Sequence, residues 1–238
     1  MQIDVLGVAY DNVTMEEAVS AGRQLLQGSR AAVCVTPNAE IAYDATQDAA
    51  FRALLNRADL VLPDGAGVVL AAKLRKTPLK QKVAGVDFAG QMLQVFAETG
   101  TRLYLLGSKP GIAERAAENM KKTAPGLVIC GTADGYFTDE AAVVEKINAA
   151  QAQALFVCLG SPKQERFMFD HQEELTTVRL MAGLGGTLDA FAGTAKRAPD
   201  WMIRANLEWL YRLYKEPKRL GRMMRLPKYL LKAIGERQ

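Results

Sequence analysis

The segment at residues 160–164, Gly-Ser-Pro-Lys-Gln, has the residue types and spacing of a phosphate-binding turn. It follows the apolar run 154–158, which is typical of a buried strand, and its proline suits the first turn of a helix. A strand that turns directly into a helix gathers backbone N–H groups and the positive end of a helix dipole, which attract anions. Lys163 adds a charge, and Gln164 adds an amide that both donates and accepts. Taken alone, the segment is equally typical of an ordinary strand–helix connection.

Four further turns of this kind follow other predicted strands: Thr36-Pro37-Asn38, Asp64-Gly65-Ala66-Gly67, Gly107-Ser108-Lys109 and Gly183-Leu184-Gly185-Gly186-Thr187. Ligands of parallel sheets bind beyond the carboxyl ends of the strands. The five turns together therefore predict one cleft that holds a phosphate-bearing ligand. Each turn alone is also typical of a loop or a helix cap. None has the Walker spacing, and the last resembles the dinucleotide fingerprint only weakly.

Asp64 is the carboxylate best placed for proton transfer. It leaves the apolar run 60–63 at the predicted cleft, between a rigid proline and a flexible glycine. A carboxylate at that point can accept a proton from a hydroxyl nucleophile, which makes it a candidate general base. The alternative, that Asp64 is the N-cap of a helix at Gly67–Lys73, stays open at this stage. Asp87 and Asp189 are more typical of caps or structural hydrogen-bond partners.

Strands and helices alternate along most of the chain, which predicts an α/β fold with a Rossmann-like, mostly parallel sheet and helices on both faces. The predicted strands are Ile3–Leu6, Ala31–Thr36, Leu60–Leu62, Arg102–Leu106, Leu127–Cys130, Ala154–Leu159 and Val178–Ala182. A capping box at Thr14 opens a helix that reaches about Gln27. The other predicted helices are Ala39–Asn56, Val86–Glu98 and Glu140–Ala149, with two more that follow Gly111 and begin at Lys163.

The pattern changes after residue 195, and this divides the chain into two predicted domains. Residues 1–195 form a Rossmann-like catalytic core, and residues 196–238 form a basic helical appendage that associates with a membrane. Within the appendage we expect a helix at Trp201–Lys215 with an apolar side. Pro217 breaks that helix and starts a second one, Lys218–Leu226, which Pro227 ends before a third at Lys228–Ile234.

Charge is distributed unevenly along the 238 residues, whose formal net charge is +4. Residues 196–238 hold 12 Lys and Arg against 4 Asp and Glu, a balance of +8, while residues 1–195 have a balance of −4. Such asymmetry indicates an anionic partner surface for the tail. No apolar run approaches the roughly 20 residues of a membrane span, and the N-terminus does not resemble a signal peptide. A cytoplasmic protein is therefore expected.

Cysteine and histidine usage argues against several kinds of chemistry. Cys34, Cys130 and Cys158 are widely spaced and odd in number, which favours reduced, mostly buried thiols over a metal site or a nucleophile. The single histidine, His171, lies in a polar helical stretch and is predicted to be a surface residue. Zinc catalysis and a Ser-His-Asp triad are therefore disfavoured.

These motifs resemble the WecG/TagA/CpsF glycosyltransferases (glycosyltransferase family 26) over essentially the whole chain. The residues that carry the resemblance are Thr36-Pro37-Asn38, Asp64-Gly65 with Gly67, Val83-Ala84-Gly85-Val86-Asp87, Leu105-Leu106-Gly107-Ser108, Leu159–Glu165, Gly185–Asp189, Lys196–Pro199 with Trp201, Asn206–Arg212, and Glu216-Pro217 with Arg219-Leu220. As a set they are highly specific.

The resemblance implies an inverting, metal-independent hexosyltransferase without a cofactor. Members of the family move an N-acetylmannosamine-type sugar from a UDP donor to undecaprenyl-diphosphate-linked GlcNAc, for the wall teichoic acid linkage unit or a related cell-surface polymer. The implied partners are thus a UDP-sugar, a polyprenyl-diphosphate-GlcNAc acceptor and an anionic membrane surface. The implied location is peripheral, on the inner face of the bacterial plasma membrane. Self-association into a homo-oligomer stays open.

The resemblance also assigns roles to residues. It makes Asp64 the base and has Arg212, Arg219 and Arg222 complete the catalytic site, while Thr36, Asn38 and Gln164 match the pocket of the family. With the predicted turns, the expected substrate-binding residues are Thr36, Asn38, Lys82, Asp87, Gly107, Ser108, Gly160, Ser161, Lys163, Gln164, Gly185 and Gly186. Lys82 is a departure, because relatives commonly carry arginine there; lysine keeps the charge but loses the bidentate fork.

The implied chemistry agrees with the residues present. Inversion needs one in-line attack by the acceptor hydroxyl, so a single base suffices. Departing UDP develops negative charge on its diphosphate, which either Mg²⁺ or protein donors must offset. The sequence has no evident Asp-x-Asp metal pair, whereas arginine and lysine abound in the tail. Stabilisation by arginine is therefore expected, with no metal ligands.

Three alternative functions remain. The first keeps the fold and acceptor but uses another UDP-sugar, a ManNAc uronic acid or a hexose, in capsule or exopolysaccharide synthesis. The second is a nucleic-acid-binding module that uses the basic tail. It is disfavoured because apolar residues such as Leu220, Met223 and Leu230 interleave with the charges, which suits lipid better than DNA. The third is a nucleotide-binding regulatory protein without catalysis, which Asp64 argues against.

Overall fold

A six-stranded parallel sheet with strand order β4-β3-β8-β7-β5-β6 forms the centre of the molecule in a computed structural model. The structure describes residues 1–195, 198–205, 207–215, 221 and 224–235. Helices cover both faces of the sheet, so the predicted α/β class with a Rossmann-like parallel sheet is confirmed. A separate two-stranded antiparallel sheet, β1-β2, adds to it at the N-terminus.

The strands are short and mostly buried. They are β1 Gln2–Val5, β2 Val8–Asp11, β3 Ala32–Val35, β4 Leu60–Val61, β5 Arg102–Gly107, β6 Val128–Ala133, β7 Ala154–Cys158 and β8 Leu180–Gly183. The helices are α1 Met15–Leu25, α2 Ala39–Gln47, α3 Ala49–Asn56, α4 Ala66–Leu74, α5 Gly85–Thr99, α6 Ile112–Thr123, α7 Glu140–Ala149, α8 Lys163–Asp170, α9 Thr187–Phe191, α10 Asp200–Arg204, α11 Glu208–Lys215 and α12 Arg225–Gly235.

Alternate residues of each central strand enter two separate apolar cores. Along β5, Leu103 and Leu105 lie on one face, whereas Tyr104 and Leu106 lie on the other. The first face is covered by α1, α5, α6 and α9, and the second by α2, α3, α4, α7, α8 and α12. Because both faces are buried, the central strands are continuously apolar, which made them readable from the sequence.

Helix ends follow the local capping chemistry. The predicted capping box at Thr14 is confirmed, since its hydroxyl accepts from the Glu17 amide while the Glu17 carboxylate accepts from the Thr14 amide. The single helix predicted at 39–56 is wrong. Asp48 is extended, and its carboxylate accepts from the Phe51 amide, so it ends α2 and caps α3.

The antiparallel pair β1-β2 was only half predicted, because the sequence indicated a strand at Ile3–Leu6 alone. Leu6 and Gly7 have positive φ and make the tight turn between the two strands. The Asp11 carboxylate at the end of β2 accepts from the Val61 amide at 2.8 Å. That contact joins the hairpin to β4, the edge strand of the large sheet.

The tail differs from its predicted helices. The expected single helix 201–215 is wrong, because α10 ends at Arg204 and α11 begins only at Glu208. Most of the predicted helix 218–226 lies outside the described residues. Pro227 does not end a helix but sits in the first turn of α12, where its missing N–H costs no hydrogen bond. No helix in the described part of the chain is long and apolar enough to cross a membrane.

The last helix, α12, is part of the packed core. It contacts α2 and α4, and its residues Tyr229 and Ala233 are fully buried in the second core. Arg225 at its start pairs with Asp44 of α2 at 2.7 Å. The division of the chain at residue 195 stays a prediction, and α12 shows that the two parts share one apolar core.

Gly107, which ends β5, provides a stability test. Its φ is +126°, and a Cβ there would lie 2.3 Å from the Cys158 carbonyl oxygen. We expect Gly107→Ala to lower the free energy of unfolding by about 3 kcal/mol or more, from backbone strain plus overpacking. Gly111→Ala is the matched control, because Gly111 has φ +82° but open space around it; it should cost about 1–2 kcal/mol. Equal urea midpoints for the two variants would contradict this.

Candidate active site

The five turns singled out in the sequence follow five strands that are neighbours in the sheet. These strands are β4, β3, β8, β7 and β5, in spatial order. Since all five are parallel, their carboxyl ends meet at one edge. The structure therefore brings the turns together along a single edge, as the sequence predicted.

Asp64 lies at the end of this row, three residues after Val61, the last residue of β4. The Pro63 carbonyl before it accepts from the Val83 amide at 3.0 Å, which fixes the turn. Helix α4 begins only at Ala66, and its N-cap is Gly65, which has φ +88° and no side-chain cap. The alternative interpretation of Asp64 as a helix N-cap is therefore wrong. Its side chain is partly exposed at the carboxyl edge.

Thr36 and Asn38 follow β3, the neighbouring strand. The buried Thr36 hydroxyl donates to the Gly183 carbonyl at 2.8 Å and so ties this turn to β8. The Asn38 side-chain oxygen caps α2 by accepting from the amides of Glu40 and Ile41. Its amide nitrogen is the group left to face a ligand. Asn38 also borders the Asp64 turn, since a Cβ at Gly65 would lie 3.8 Å from the Asn38 Cβ.

Gln164 is a clamp between two turns rather than a free polar group. It is 1% exposed, its side-chain oxygen accepts from the Gly185 amide at 2.9 Å, and its nitrogen donates to the Glu165 carboxylate at 2.9 Å. One hydrogen of that nitrogen remains for another partner. Gln164 therefore holds the β8 turn against the β7 turn.

Glu165 was quoted in the sequence motif but not assigned to the site. It is 1% exposed, one of its oxygens accepts from Gln164, and the other has no hydrogen-bond partner among the described residues. Burial raises the pKa of its carboxyl above the usual range, although hydrogen bonds oppose this. The sequence contained one signal for this buried carboxyl. Glu165 is a charged residue directly after the pocket residue Gln164, on a helix with a buried face.

Three glycines on these turns leave the backbone open. A Cβ placed at Gly160, Gly185 or Gly186 would meet no atom within 4 Å. Gly160 and Gly185 also have positive φ, of +76° and +55°. A ligand can therefore approach the backbone closely at both turns, which is what diphosphate binding by N–H groups requires. Ser161, next to Gly160, is exposed.

Ser108 lies on the turn after β5 and is bound to the neighbouring helix. Its hydroxyl donates at 2.7 Å to the carboxylate of Asp189, which is a residue of α9. The sequence-based interpretation of Asp189 as a structural hydrogen-bond partner is therefore confirmed. Ser108 has φ +63°, and its amide donates to the Cys158 carbonyl at 3.1 Å. This N–H group is therefore used in a hydrogen bond between the turn after β5 and strand β7 rather than directed at a ligand.

Lys163 points away from the centre of the row. Its ammonium group lies 4.3 Å from the centroid of the Phe137 ring and donates to the Gly135 carbonyl at 3.2 Å. The side chain is exposed at the mouth of the cleft. Because its side chain is exposed, Lys163 can still attract an anion from that rim.

Lys82 and Asp87 border the Asp64 and Thr36 turns. The segment before α5 is drawn in by the hydrogen bond from Val83 to Pro63, and Asp87 lies in the first turn of α5. A Cβ at Gly85 would lie 3.2 Å from the Thr36 hydroxyl, so the start of α5 packs directly on that residue. The side chains of Lys82 and Asp87 are partly exposed.

The three tail arginines are located only in part. Arg212 belongs to α11, whose described neighbours Trp209 and Tyr214 are exposed. Arg219 and Arg222 lie outside the described residues. Their predicted role in the site therefore stays a prediction.

Two of the cysteines lie in strands that lead into this row of turns: Cys34 in β3 and Cys158 at the end of β7. Burial raises the pKa of Cys158 to about 12 and also raises the pKa of Cys34, so neither thiol ionises readily. His171 pairs with Glu140 at 2.9 Å, and its side chain is 13% exposed, so it is less exposed than predicted. Within the described ranges, no three His, Cys, Asp or Glu side chains group as metal ligands.

A second concave region lies at the opposite, amino edge of the sheet. It has a volume of about 460 Å³, and Arg30, Arg57 and Arg179 are among the residues that line it. Arg30 pairs with Asp59, and Arg57 lies over the Phe169 ring at 5.0 Å. These contacts satisfy much of the positive charge of the arginines in this region. The carboxyl edge of the sheet is therefore the stronger candidate for the active site.

Comparisons with known proteins identify relatives of this chain. The sequence profile of the family described as "Glycosyl transferase WecG/TagA/CpsF family" matches residues 3–238. A relative from Bacillus spizizenii is 38% identical over 205 residues, which cover 86% of this chain and 79% of the relative. One from Staphylococcus aureus is 31% identical over 233 residues, with 97% and 91% covered. Both are named N-acetylglucosaminyldiphosphoundecaprenol N-acetyl-beta-D-mannosaminyltransferase.

Glu165 makes a pH-dependent contribution to stability. Its folded pKa is raised, so the folded state retains a proton that the unfolded state has lost. The free energy of unfolding therefore falls as pH rises from the usual glutamate pKa, about 4.3, through the raised value. We expect the free energy of unfolding of Glu165→Gln to fall less steeply than that of the wild type as pH rises from about 4 to 8. Urea unfolding at several pH values measures this difference. The exposed Glu118→Gln should keep it. An unchanged pH slope in Glu165→Gln would refute the assignment.

Proposed function

The chain belongs to the WecG/TagA/CpsF family of glycosyltransferases, and we propose that it transfers N-acetylmannosamine from a UDP donor to undecaprenyl-diphosphate-linked GlcNAc. The observation that carries the proposal is the row of five turns at the carboxyl edge, with Asp64 at one end. The names of the relatives state this sugar and this acceptor. The product belongs to the wall teichoic acid linkage unit or a related polymer.

Asp64 is the general base of the proposed reaction. The attacking hydroxyl of the acceptor sugar must lose its proton as it attacks the anomeric carbon, and a carboxylate at hydrogen-bond distance can accept that proton. The new glycosidic bond forms from the face opposite the leaving diphosphate, so the configuration inverts. One base is enough, because no covalent sugar–enzyme bond forms.

The diphosphate binds to the glycine-bearing turns. Backbone N–H groups at Gly160, Gly185 and Gly186 are open to close approach, and the first turn of α8 adds its dipole. The Gln164 clamp keeps the two turns at a fixed separation. Donors held in place before the reaction stabilise the growing charge without reorganising.

The tail arginines complete the site, and no metal ion takes part. Arg212, Arg219 and Arg222 supply guanidinium groups that bind the diphosphate in bidentate fashion as UDP departs. Asn38 binds the donor sugar beside Asp64, and Thr36 contributes to this part of the site by fixing the turn against β8. Lys82 contributes a point charge where an arginine would give two parallel hydrogen bonds.

The tail also binds the anionic inner face of the plasma membrane. Its excess charge is +8, and each Lys or Arg near such a surface contributes about 1 kcal/mol. Apolar side chains accompany the charge: Trp201, Trp209, Leu210, Tyr214, Leu231 and Ile234 are exposed. In α12 one apolar face is buried in the core and Leu231 and Ile234 lie outside it, so this helix links the core to the lipid.

Asp64→Asn tests the proposed reaction. The change is nearly isosteric, so folding should persist while turnover falls by about 10²- to 10⁴-fold. The assay offers UDP-ManNAc, its uronic acid and a UDP-hexose with a GlcNAc-diphospho-lipid acceptor, and detects the product by mass. Asp48→Asn is the matched control, since asparagine also caps α3. Absence of transfer by the wild-type protein would defeat the proposed function, and near-normal turnover by Asp64→Asn would defeat the role of the base.

Arg219→Lys and Arg222→Lys separate membrane binding from chemistry. Both keep the charge, so retention on phosphatidylglycerol vesicles should be unchanged. Transfer to a short, water-soluble acceptor should fall by roughly tenfold or more, because lysine cannot form the guanidinium fork. Arg237→Lys, in the same tail, is the control for a charge without a proposed role. Full transfer by the two variants would mean that these arginines only anchor the protein.

A further inference from the structure

Two buried tyrosines join the C-terminal helix to the turn that carries Asn38. Tyr229 of α12 and Tyr10 of β2 are both 0% exposed. The Tyr10 hydroxyl donates to the Pro37 carbonyl at 3.2 Å. Pro37 stands between Thr36 and Asn38, so Tyr10 supports that turn from beneath.

The Tyr229 hydroxyl lies beside that of Tyr10, and its proximity, after burial, raises the pKa of the Tyr10 phenol. No described residue lies within hydrogen-bonding geometry of it, although the oxygen is fully buried. A buried hydroxyl without a partner is unfavourable, and a phenylalanine would avoid that cost. Tyr10 donates to Pro37, which leaves the lone pairs of its oxygen as the available acceptor. Tyr229, Tyr10 and the Pro37 carbonyl therefore form a row that leads from α12 to the turn carrying Asn38.

A second contact places α12 against the Asp64 turn. A Cβ at Gly67, in the first turn of α4, would lie 2.5 Å from Leu226 Cδ1 and 2.8 Å from the Ala39 Cβ. The three helices α2, α4 and α12 therefore meet where Gly67 has no side chain. Asp64 precedes that glycine by three residues. The charge of Asp64 also reaches Tyr10, where, after burial and Tyr229, it raises the pKa of the phenol.

We propose that Tyr229 is a positioning residue: α12 presses its phenol onto Tyr10 and so holds the Thr36-Pro37-Asn38 turn beside Asp64. This inference rests on the proposed transfer reaction for one of its two tests. The tail then contributes to the site through a buried side chain, in addition to its arginines and its lipid-facing side chains. Ring packing by Tyr229 serves stability, and its hydroxyl serves the geometry of the site.

Tyr229→Phe separates these two roles, because it removes only the hydroxyl. We expect only a small change in the melting temperature, because the packing of the ring is kept. The kcat should fall roughly fivefold, the effect of one hydrogen bond, with KM for the donor within about twofold of wild type. Tyr10→Phe should lower kcat at least as much, and adding Tyr229→Phe to it should change nothing further. Tyr104→Phe is the control, because its buried hydroxyl donates to Thr132 at the same 3.2 Å.

Hydrogen exchange of the backbone gives a test that needs no activity. Amides of residues 36–41 should exchange faster in Tyr229→Phe than in wild type or Tyr104→Phe. Wild-type kcat in Tyr229→Phe, or unchanged exchange in this segment, would overturn the role of Tyr229. If the wild-type protein transfers no sugar, the proposed function fails, while the exchange measurement still decides the role of Tyr229.

Discussion

The parallel register of five adjacent strands is the constraint on which the rest of the structure depends. Because β4, β3, β8, β7 and β5 all run the same way, the turns that follow them share one edge. Residues separated by more than a hundred positions, such as Asp64 and Gly185, are thereby gathered at the same edge. The buried apolar strands supply the stability, and the turns at their ends are left to hold polar and glycine residues.

A buried polar network then fixes the spacing between these turns. Thr36 binds Gly183, Gln164 binds Gly185, and Glu165 binds Gln164. These side chains are nearly inaccessible, so water cannot replace their partners. In such surroundings each hydrogen bond is costly to break, which makes the network rigid. Open backbone at Gly185 and Gly186 beside a rigid clamp is an arrangement suited to binding a diphosphate.

The central strands and most helices could be predicted, because both faces of the sheet are buried and produce uninterrupted apolar runs. The capping box at Thr14 likewise depends on residues three apart. The sequence could not show how α12 packs. Tyr229 and Ala233 look like members of any amphipathic helix, and their burial depends on a groove between α2 and α4 that only the folded chain contains. Gln164 was found as a polar residue after a strand, but its role as a clamp needs the position of Gly185.

The most direct test of this account is a crystal structure with UDP bound. We expect the diphosphate at the carboxyl edge of the sheet, within hydrogen-bonding distance of backbone N–H groups in residues 160–164 or 185–186. Binding there would tie the open glycines to the chemistry of the leaving group. The account would be contradicted if UDP occupied the arginine-lined region at the amino edge, near Arg57 and Arg179, and left the carboxyl edge empty.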